Sequence, residues 1–302
     1  MNGVTSIRRA LREEFVIFCE ADDDTGIFDQ VDAFVNLSRG NETKYITLLP
    51  FTNPGDDISE NHRYAIWDKI AEGVGNLQAL CEITIGDSRF GDAEEEQAPV
   101  PDWEILACIL RRLRRKIQLC MHDNDALLWN TEALPVFAGA IHGQAMITRF
   151  STGAGFPFHC LDILCSALLT LPALENIKLG QYDDEGPEEG QSFESMVKLL
   201  QSPILQLVKF ESVAFTNTFS QAVAKALKER SEITHLHFCR CSFLEGGGTA
   251  IATALTTNTK LRCLEFDVRV PEDCYYVLAA VLLSNSTLKK LVLFMPDGDC
   301  SW

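Results

Sequence analysis

The sequence predicts an α/β fold: a curved solenoid of about ten βα units, with parallel strands on its inner wall and helices outside. Three observations lead to this prediction. A pair of apolar residues separated by one position returns ten times along the 302-residue chain. Successive pairs begin 27 to 37 residues apart, within the period of about 20–50 residues that is typical of stacked repeat proteins. Stretches with helical periodicity follow the pairs.

The alternation inside each pair predicts a strand with one buried face. Side chains of a strand point to opposite faces in turn, so two residues one position apart share a face, and the interleaved residues face water. The pairs are Phe15/Ile17, Ile46/Leu48, Ile83/Ile85, Ile117/Leu119, Phe150/Thr152, Ile177/Leu179, Val208/Phe210, Leu236/Phe238, Leu264/Phe266 and Leu291/Leu293.

The helical stretches are clearest in the last third of the chain. Residues 220–227 place apolar side chains at i, i+1, i+4 and i+5, which indicates a helix with one packed stripe. Residues 246–255 repeat that plan after a glycine-rich entry. A strand and a helix within about 28 residues form one parallel βα unit.

The last four repeats share a motif. Residues 233–241 fit the pattern L-x-x-L-x-L-x-x-C, and the repeats that begin at Leu205, Leu261 and Leu288 contain its first half. These repeats resemble the ribonuclease-inhibitor-like class of leucine-rich repeat proteins, regularly from residue 205 on and more loosely before it. The resemblance implies a horseshoe with helices on the convex side, which binds proteins on its concave strand face and has no catalytic site of its own.

The repeats predict a single domain over residues 1–302, because a solenoid buries one continuous core. We expect residues 1–13 to form a polar cap helix, residues 14–293 to hold about ten repeats, and residues 294–302 to form a short tail. The tail is too short for the helix that should complete the last unit. Either it folds over the last strand as a minimal cap, or a partner or a second copy covers that open edge, or the chain continues in a longer protein.

Composition narrows the classes of function. The net charge of −17 argues against nucleic-acid binding, which needs a basic face. The sequence contains no run of about 18 apolar residues that would predict a membrane span. Eleven cysteines, with no CxxC pair and no export signal, favour reduced thiols and a cytoplasmic location, with the nucleus as an alternative.

Sequence motifs for catalysis are absent. The sequence has neither the glycine-rich patterns that bind nucleotides nor the GxSxG and HExxH signatures of hydrolases. We therefore expect a protein that is not an enzyme and that carries no cofactor.

The predicted binding face is the inner wall, formed by strand positions 3, 5, 7 and 8 of each repeat. Its charges are balanced, six basic against six acidic, although the whole chain is acidic. This balance favours a protein partner of mixed charge, with ion pairs that set register and association rate. The basic residues are Lys116, Arg149, Lys178, Lys209, Arg240 and Lys290, and the acidic ones are Glu14, Glu82, Asp87, Glu211, Glu265 and Asp267. The residues predicted to contact the partner are Lys178, Lys209, Glu211, His235, His237, Arg240, Glu265, Asp267 and Lys290.

One strand of this wall concentrates residue types that bind metals. The 28-residue repeat predicts three neighbouring pairs on adjacent strands: His235 with Cys263, His237 with Glu265, and Cys239 with Asp267. Imidazole and thiolate groups suit zinc, which makes His235, His237, Cys239 and Cys263 candidate ligands. The alternative is a patch that contacts the partner, and we adopt it because a flat strand surface seldom closes a tetrahedral site. Cys241 should turn inward as a small apolar residue.

The sequence therefore predicts a non-enzymatic interaction scaffold or adaptor for a protein partner of unknown identity, without nucleic acid or membrane as partners. Self-association through the carboxyl-terminal open edge is a further possibility. Two alternatives stay open. The repeat class is similar to that of the Ran GTPase-activating protein, which would make the chain a regulator of a small GTPase. The chain could also be the sensing part of a larger multidomain protein.

Overall fold

The computed structural model describes residues 7–11, 14–17, 24–39, 42–48, 60–85, 103–121, 133–152, 158–180, 192–229, 231–244, 246–267 and 272–293. The chain divides into two compact units, Met1–Gly153 with Thr170–Ala173, and Ala154–Leu169 with Leu174–Trp302. Strands alternate with helices in each unit, which confirms the α/β class. The horseshoe, the count of ten repeats and the single-domain organisation stay predictions.

The first unit contains strands β1–β6 and helices α1–α4. They are β1 (Ile7–Leu11), β2 (Glu14–Ile17), α1 (Asp24–Ser38), β3 (Tyr45–Leu48), α2 (Glu60–Asn76), β4 (Glu82–Ile85), α3 (Trp103–Arg112), β5 (Ile117–Met121), α4 (Ala133–Ile141) and β6 (Ile147–Thr152). Strands β2 to β6 lie side by side in chain order, and each pairs in parallel with the next.

The prediction of an amino-terminal cap helix is wrong. Residues Ile7–Leu11 form strand β1, which pairs antiparallel with β2. An unpaired edge of β2 would leave a row of backbone N–H and C=O groups without partners, and a strand satisfies them by continuing the ladder, whereas a helix does not.

The predicted register is also wrong in one repeat. Leu119, rather than Ile117, pairs with Ile83 of β4 and with Phe150 of β6, so the buried pair of this repeat is Leu119/Met121. Three apolar residues in alternation allow two registers, and all three are buried. The neighbouring strands decide between the registers, with an irregularity in the β5–β6 pairing just after Ile117.

The shifted register changes one wall position. Gln118, which pairs with Glu82, occupies the position predicted for Lys116. Asp87 and the predicted tail at residues 294–302 lie outside the described residues, as does the side chain of Glu14.

The second unit contains helices α5–α9 and strands β7–β13. They are α5 (Leu161–Leu168), β7 (Asn176–Gly180), α6 (Glu194–Leu200), β8 (Leu207–Glu211), β9 (Ala214–Phe215), α7 (Asn217–Glu229), β10 (His235–Cys239), β11 (Ser242–Phe243), α8 (Gly247–Leu255), β12 (Cys263–Asp267), α9 (Glu272–Ser284) and β13 (Lys290–Leu293). Strands β7, β8, β10, β12 and β13 form a parallel sheet in that order, and β9 pairs separately with β11.

The predicted apolar pairs form the core of both units. Both members are buried in every described pair except Leu291/Leu293, which are half-buried, while the side chains of Phe15 and Ile17 lie outside the description. In the second unit the sixth repeat position carries stacked rings. The ring centroids of Phe210 and Phe238 lie 5.8 Å apart, and those of Phe238 and Phe266 lie 5.0 Å apart.

Asparagine side chains fix the turn between helix and strand in the last repeats. The buried Asn258 donates to the carbonyl of Leu227 at 2.6 Å, and its side-chain oxygen accepts the backbone N–H groups of Lys260 and Leu261 at 2.9 and 2.8 Å. Asn285 repeats this arrangement 27 residues later. The spacing N-x-x-L before β12 and before β13 is the sequence signal for this turn.

We expect Asn258→Ala to lower the free energy of unfolding by about 2–4 kcal/mol, because it removes the partner of one carbonyl and two N–H groups around the buried Asn258 side chain. Lys260→Ala in the same turn is the matched control. It removes only an exposed ion pair with Glu232 at 2.8 Å, which is worth about 1 kcal/mol or less. Urea unfolding of the three proteins measures the difference, and equal losses in the two variants would contradict the structural role of Asn258.

Candidate partner-binding face

The candidate site lies in the second unit, on the sheet face opposite the buried pairs, which we call the open sheet face. Register places its residues in two rows across neighbouring strands. The middle row is Lys178, Lys209, His237 and Glu265, and the end row is Glu211, Cys239 and Asp267. The three neighbouring pairs predicted across β10 and β12 are confirmed. This face also includes His235, Arg240, Cys263 and Lys290 at the ends of these strands.

Glu211 is the centre of the first charge network. It is the only charged residue that is buried in the described part of the chain. Lys178 and Arg240 form ion pairs with its two carboxylate oxygens, and Lys209 Nζ lies 4.0 Å from one of them. Burial alone raises the pKa of Glu211, but the hydrogen bonds from Lys178 and Arg240 outweigh burial and lower the pKa to about 2. Glu211 is therefore ionised at neutral pH and held by cations from both neighbouring strands.

The backbone at the strand ends brings Arg240 into this network. Arg240 and Ser212 occupy equivalent positions one repeat apart, and both have a left-handed backbone, with φ of 53° and 56°. This conformation costs a non-glycine residue about 1–2 kcal/mol. Ser212 N–H donates to the Cys239 carbonyl at 2.8 Å, and Arg240 N–H donates to the Asp267 carbonyl at 3.2 Å, so each turn keeps its backbone hydrogen bonds.

Glu265 is the centre of a second network. Lys290 Nζ lies 2.5 Å from Glu265 Oε1, and His237 Nδ1 lies 4.0 Å from Oε2. The thiol of Cys263 also donates to Glu265, at 3.4 Å. The hydrogen bond from Lys290 is the main reason that the pKa of Glu265 is lowered.

A third group combines three types of potential metal ligand. One donor atom each from His237, Cys239 and Asp267 lies within 4.8 Å of the other two. The Cys239 thiol donates to Asp267 Oδ2 at 3.4 Å. Burial lowers the pKa of His237, and the neighbouring Lys209 lowers it further against the opposing effect of nearby carboxylates. Burial, followed by the hydrogen bond to Asp267, raises the pKa of Cys239.

The structure separates the four cysteine and histidine candidates for a metal site. His237 and Cys239 belong to the group, whereas Cys263 contacts Glu265, and the exposed His235 has Nδ1 2.9 Å from Thr234 Oγ1. Asp267, one of the two carboxylates that the repeat spacing places beside these residues, completes the group. The sequence signal for Asp267 is its spacing of 28 residues, one repeat length, from Cys239. This spacing places the two residues side by side on paired strands.

Two further features bear on the sequence predictions. Cys241 is buried and its thiol lies 3.4 Å from the Phe210 carbonyl, which confirms that it turns inward. The sequence does not predict the left-handed turns at Ser212 and Arg240, because neither serine nor arginine is a residue type that signals positive φ.

Comparison with protein-family models and with curated proteins gave no significant match. Among the helices that the structure describes, none has both the length and the apolar character needed to cross a bilayer. Membership of the leucine-rich repeat class stays a prediction.

We expect Glu211→Gln to destabilise the protein by about 1.5–3 kcal/mol near neutral pH, the contribution of a hydrogen bond to a charged group. A glutamate in the unfolded chain has a pKa of about 4.3, above the value of about 2 in the folded protein. The folded state therefore gains stability from ionised Glu211 above about pH 4.3, and it loses this gain as the pH falls from there toward 2. The difference between the two proteins should shrink over that range.

Unfolding free energies from denaturant titrations at several pH values test this expectation. The exposed Glu232→Gln is the control, and it should cost about 1 kcal/mol or less because surface ion pairs contribute little. A difference for Glu211→Gln that stays constant from neutral to acid pH would contradict the assignment.

Proposed function

We propose that this chain is a non-enzymatic scaffold that binds a protein partner on the open sheet face of its second unit. The proposal includes a leucine-rich repeat solenoid of about ten units with a concave strand face. The observation that supports it best is the ordered array of charged side chains on parallel strands in register.

Preorganisation of the side chains is the first argument. Lys178, Arg240 and Lys290 are long, flexible residues, and each is held by an ion pair to a carboxylate on a neighbouring strand. Ordering such side chains during association costs about 0.5–1.5 kcal/mol each, and side chains that are already held lose less. The face therefore suits recognition of a partner with a defined charge pattern.

Charge distribution is the second argument. The nine predicted contact residues include four cations and three carboxylates, whereas the whole chain has a net charge of −17. The acidic surplus thus lies elsewhere, and the face does not repel acidic groups of a partner. Complementary charges across such a surface set the register and the association rate more than the affinity.

A double variant tests the proposal without disrupting the buried carboxylate. Arg240→Ala with Lys290→Ala removes the two most exposed ion-paired cations of the face, with side chains 66% and 61% exposed. Lys178 remains on Glu211 in this variant. Charge reversal at Lys178, Lys209 and Arg240 together would instead surround the buried Glu211 with acidic groups and unfold the unit.

The matched control is Lys198→Ala with Lys260→Ala. Both lysines also form ion pairs, with side chains 59% and 49% exposed, but they lie outside the open sheet face. We expect quantitative affinity capture to recover a set of proteins with the wild type and the control, and about tenfold less of it with the face variant. Equal recovery with all three proteins, each shown to be folded by circular dichroism, would contradict binding on this face.

Regulation of a small GTPase, a sensing role in a larger protein and self-association through the carboxyl-terminal edge stay predictions from the sequence.

A further inference from the structure

The group formed by His237, Cys239 and Asp267 has the composition of a metal site. It is the only group of three or more histidine, cysteine and acidic ligand atoms that come this close within the part of the chain described. His237 and Cys239 share a face because they are two positions apart on β10, and Asp267 pairs directly with Cys239 on β12. The backbone of two paired strands therefore fixes all three positions.

The distances are close to those of a bound ion. Metal–ligand bonds of about 2.0–2.3 Å in a tetrahedral zinc site separate the ligand atoms by about 3.3–3.8 Å. The Cys239 sulfur and Asp267 oxygen are already 3.4 Å apart, and the three donor atoms all lie within 4.8 Å of one another. Side-chain rotations that shorten the longest separation by about 1 Å would complete the geometry.

The charges around the group also permit a cation. Two basic residues adjoin the group: Lys209 pairs with His237 in register, and Arg240 follows Cys239 in the chain. Glu211 offsets part of their charge, through its ion pair with Arg240 and its 4.0 Å approach to Lys209. The same carboxylate also forms an ion pair with Lys178. A neutral imidazole, a thiolate and a carboxylate together balance one divalent ion.

We propose that His237, Cys239 and Asp267 bind one Zn²⁺ ion on the open sheet face, with a fourth coordination position open to solvent. Thiolate and imidazole ligands favour zinc over magnesium or calcium, which prefer oxygen ligands. Binding replaces the hydrogen bond between the Cys239 thiol and Asp267, and the thiol proton leaves to solvent. The fourth position stays open because the two other carboxylates beside the group are already paired. Lys290 Nζ lies 2.5 Å from Glu265, and Glu211, which pairs with Cys239 in register, is held by Lys178 and Arg240.

This inference does not require a protein partner. Three ligands with an open position is the arrangement of zinc sites that accept water or an outside ligand. A donor group of an incoming molecule would thus bind the zinc ion directly, in addition to the charged side chains of the open sheet face.

Cobalt(II) titration of the metal-free 302-residue chain tests the site, because Co²⁺ takes zinc-type ligands and reports thiolate coordination through a charge-transfer absorption. We expect one equivalent of Co²⁺ to produce this absorption and Zn²⁺ to abolish it. Cys239→Ser should remove the absorption. His237→Gln and Asp267→Asn should each weaken Co²⁺ binding by more than about a hundredfold, since even residues that only hydrogen-bond to a metal ligand contribute about 10–100-fold.

Two variants on the same face serve as controls. Cys263→Ser and His235→Gln replace the neighbouring thiol and imidazole that lie outside the group, and both should leave the titration unchanged. Thermal unfolding without metal checks that each variant is folded. If Cys239→Ser, at a buried position, unfolds the chain, the conservative change Asp267→Asn at an exposed position still tests the site. Absence of the thiolate absorption in the wild type, or its loss in Cys263→Ser, would overturn the proposal.

Discussion

Residue-for-residue register between parallel strands is the constraint on which the second unit depends. Phe210, Phe238 and Phe266 hold equivalent positions on β8, β10 and β12, and each ring stacks on the next. Because strand side chains alternate, register that aligns these buried rings also aligns every residue between them on the opposite face. A slip of one residue would expose the rings and bury the charges, at a cost of about 1.5–3 kcal/mol for each large apolar side chain. Core packing therefore determines the arrangement of the open sheet face.

Register also explains why a carboxylate can be buried at the end of β8. An ionised group removed from water destabilises the fold unless cations and hydrogen bonds compensate it. Glu211 receives Lys178 from the preceding strand of the sheet and Arg240 from the end of the following one. Three successive repeats are thus joined by one electrostatic network across the face. The left-handed turn at Arg240 belongs to this arrangement, and its hydrogen bond to the Asp267 carbonyl ties it to a fourth strand.

Features that depend on alternation and repeat length are predicted correctly from the sequence. Features that depend on pairing with neighbouring strands or on side-chain rotamers are not. Regular spacing was sufficient to predict that His237 lies beside Glu265 and that Cys241 turns inward. At β5, alternation alone cannot choose between two registers, because Ile117, Leu119 and Met121 are all apolar. Strand β1 pairs with the edge of β2, and this edge exists only once the sheet has folded, so the periodicity of the sequence does not indicate it. The exclusion of His235 and Cys263 from the ligand group depends on contacts with Thr234 and Glu265, which no periodicity encodes.

Equal repeat lengths accompany the charged rows on β8, β10 and β12. The apolar pairs on β8, β10, β12 and β13 begin 28, 28 and 27 residues apart, whereas the first spacings of the chain range from 31 to 37. Asn258 and Asn285 form the same hydrogen bonds in the turns before β12 and β13, so both strands begin from equivalent turns. In the first unit the pairing of β5 with β6 is interrupted after Ile117. A side-chain network that spans several strands needs each strand to present the same position at the same height. Strand register meets that condition on β8, β10 and β12, and also on β7, whose apolar pair begins 31 residues before that of β8 and which still supplies Lys178 to Glu211.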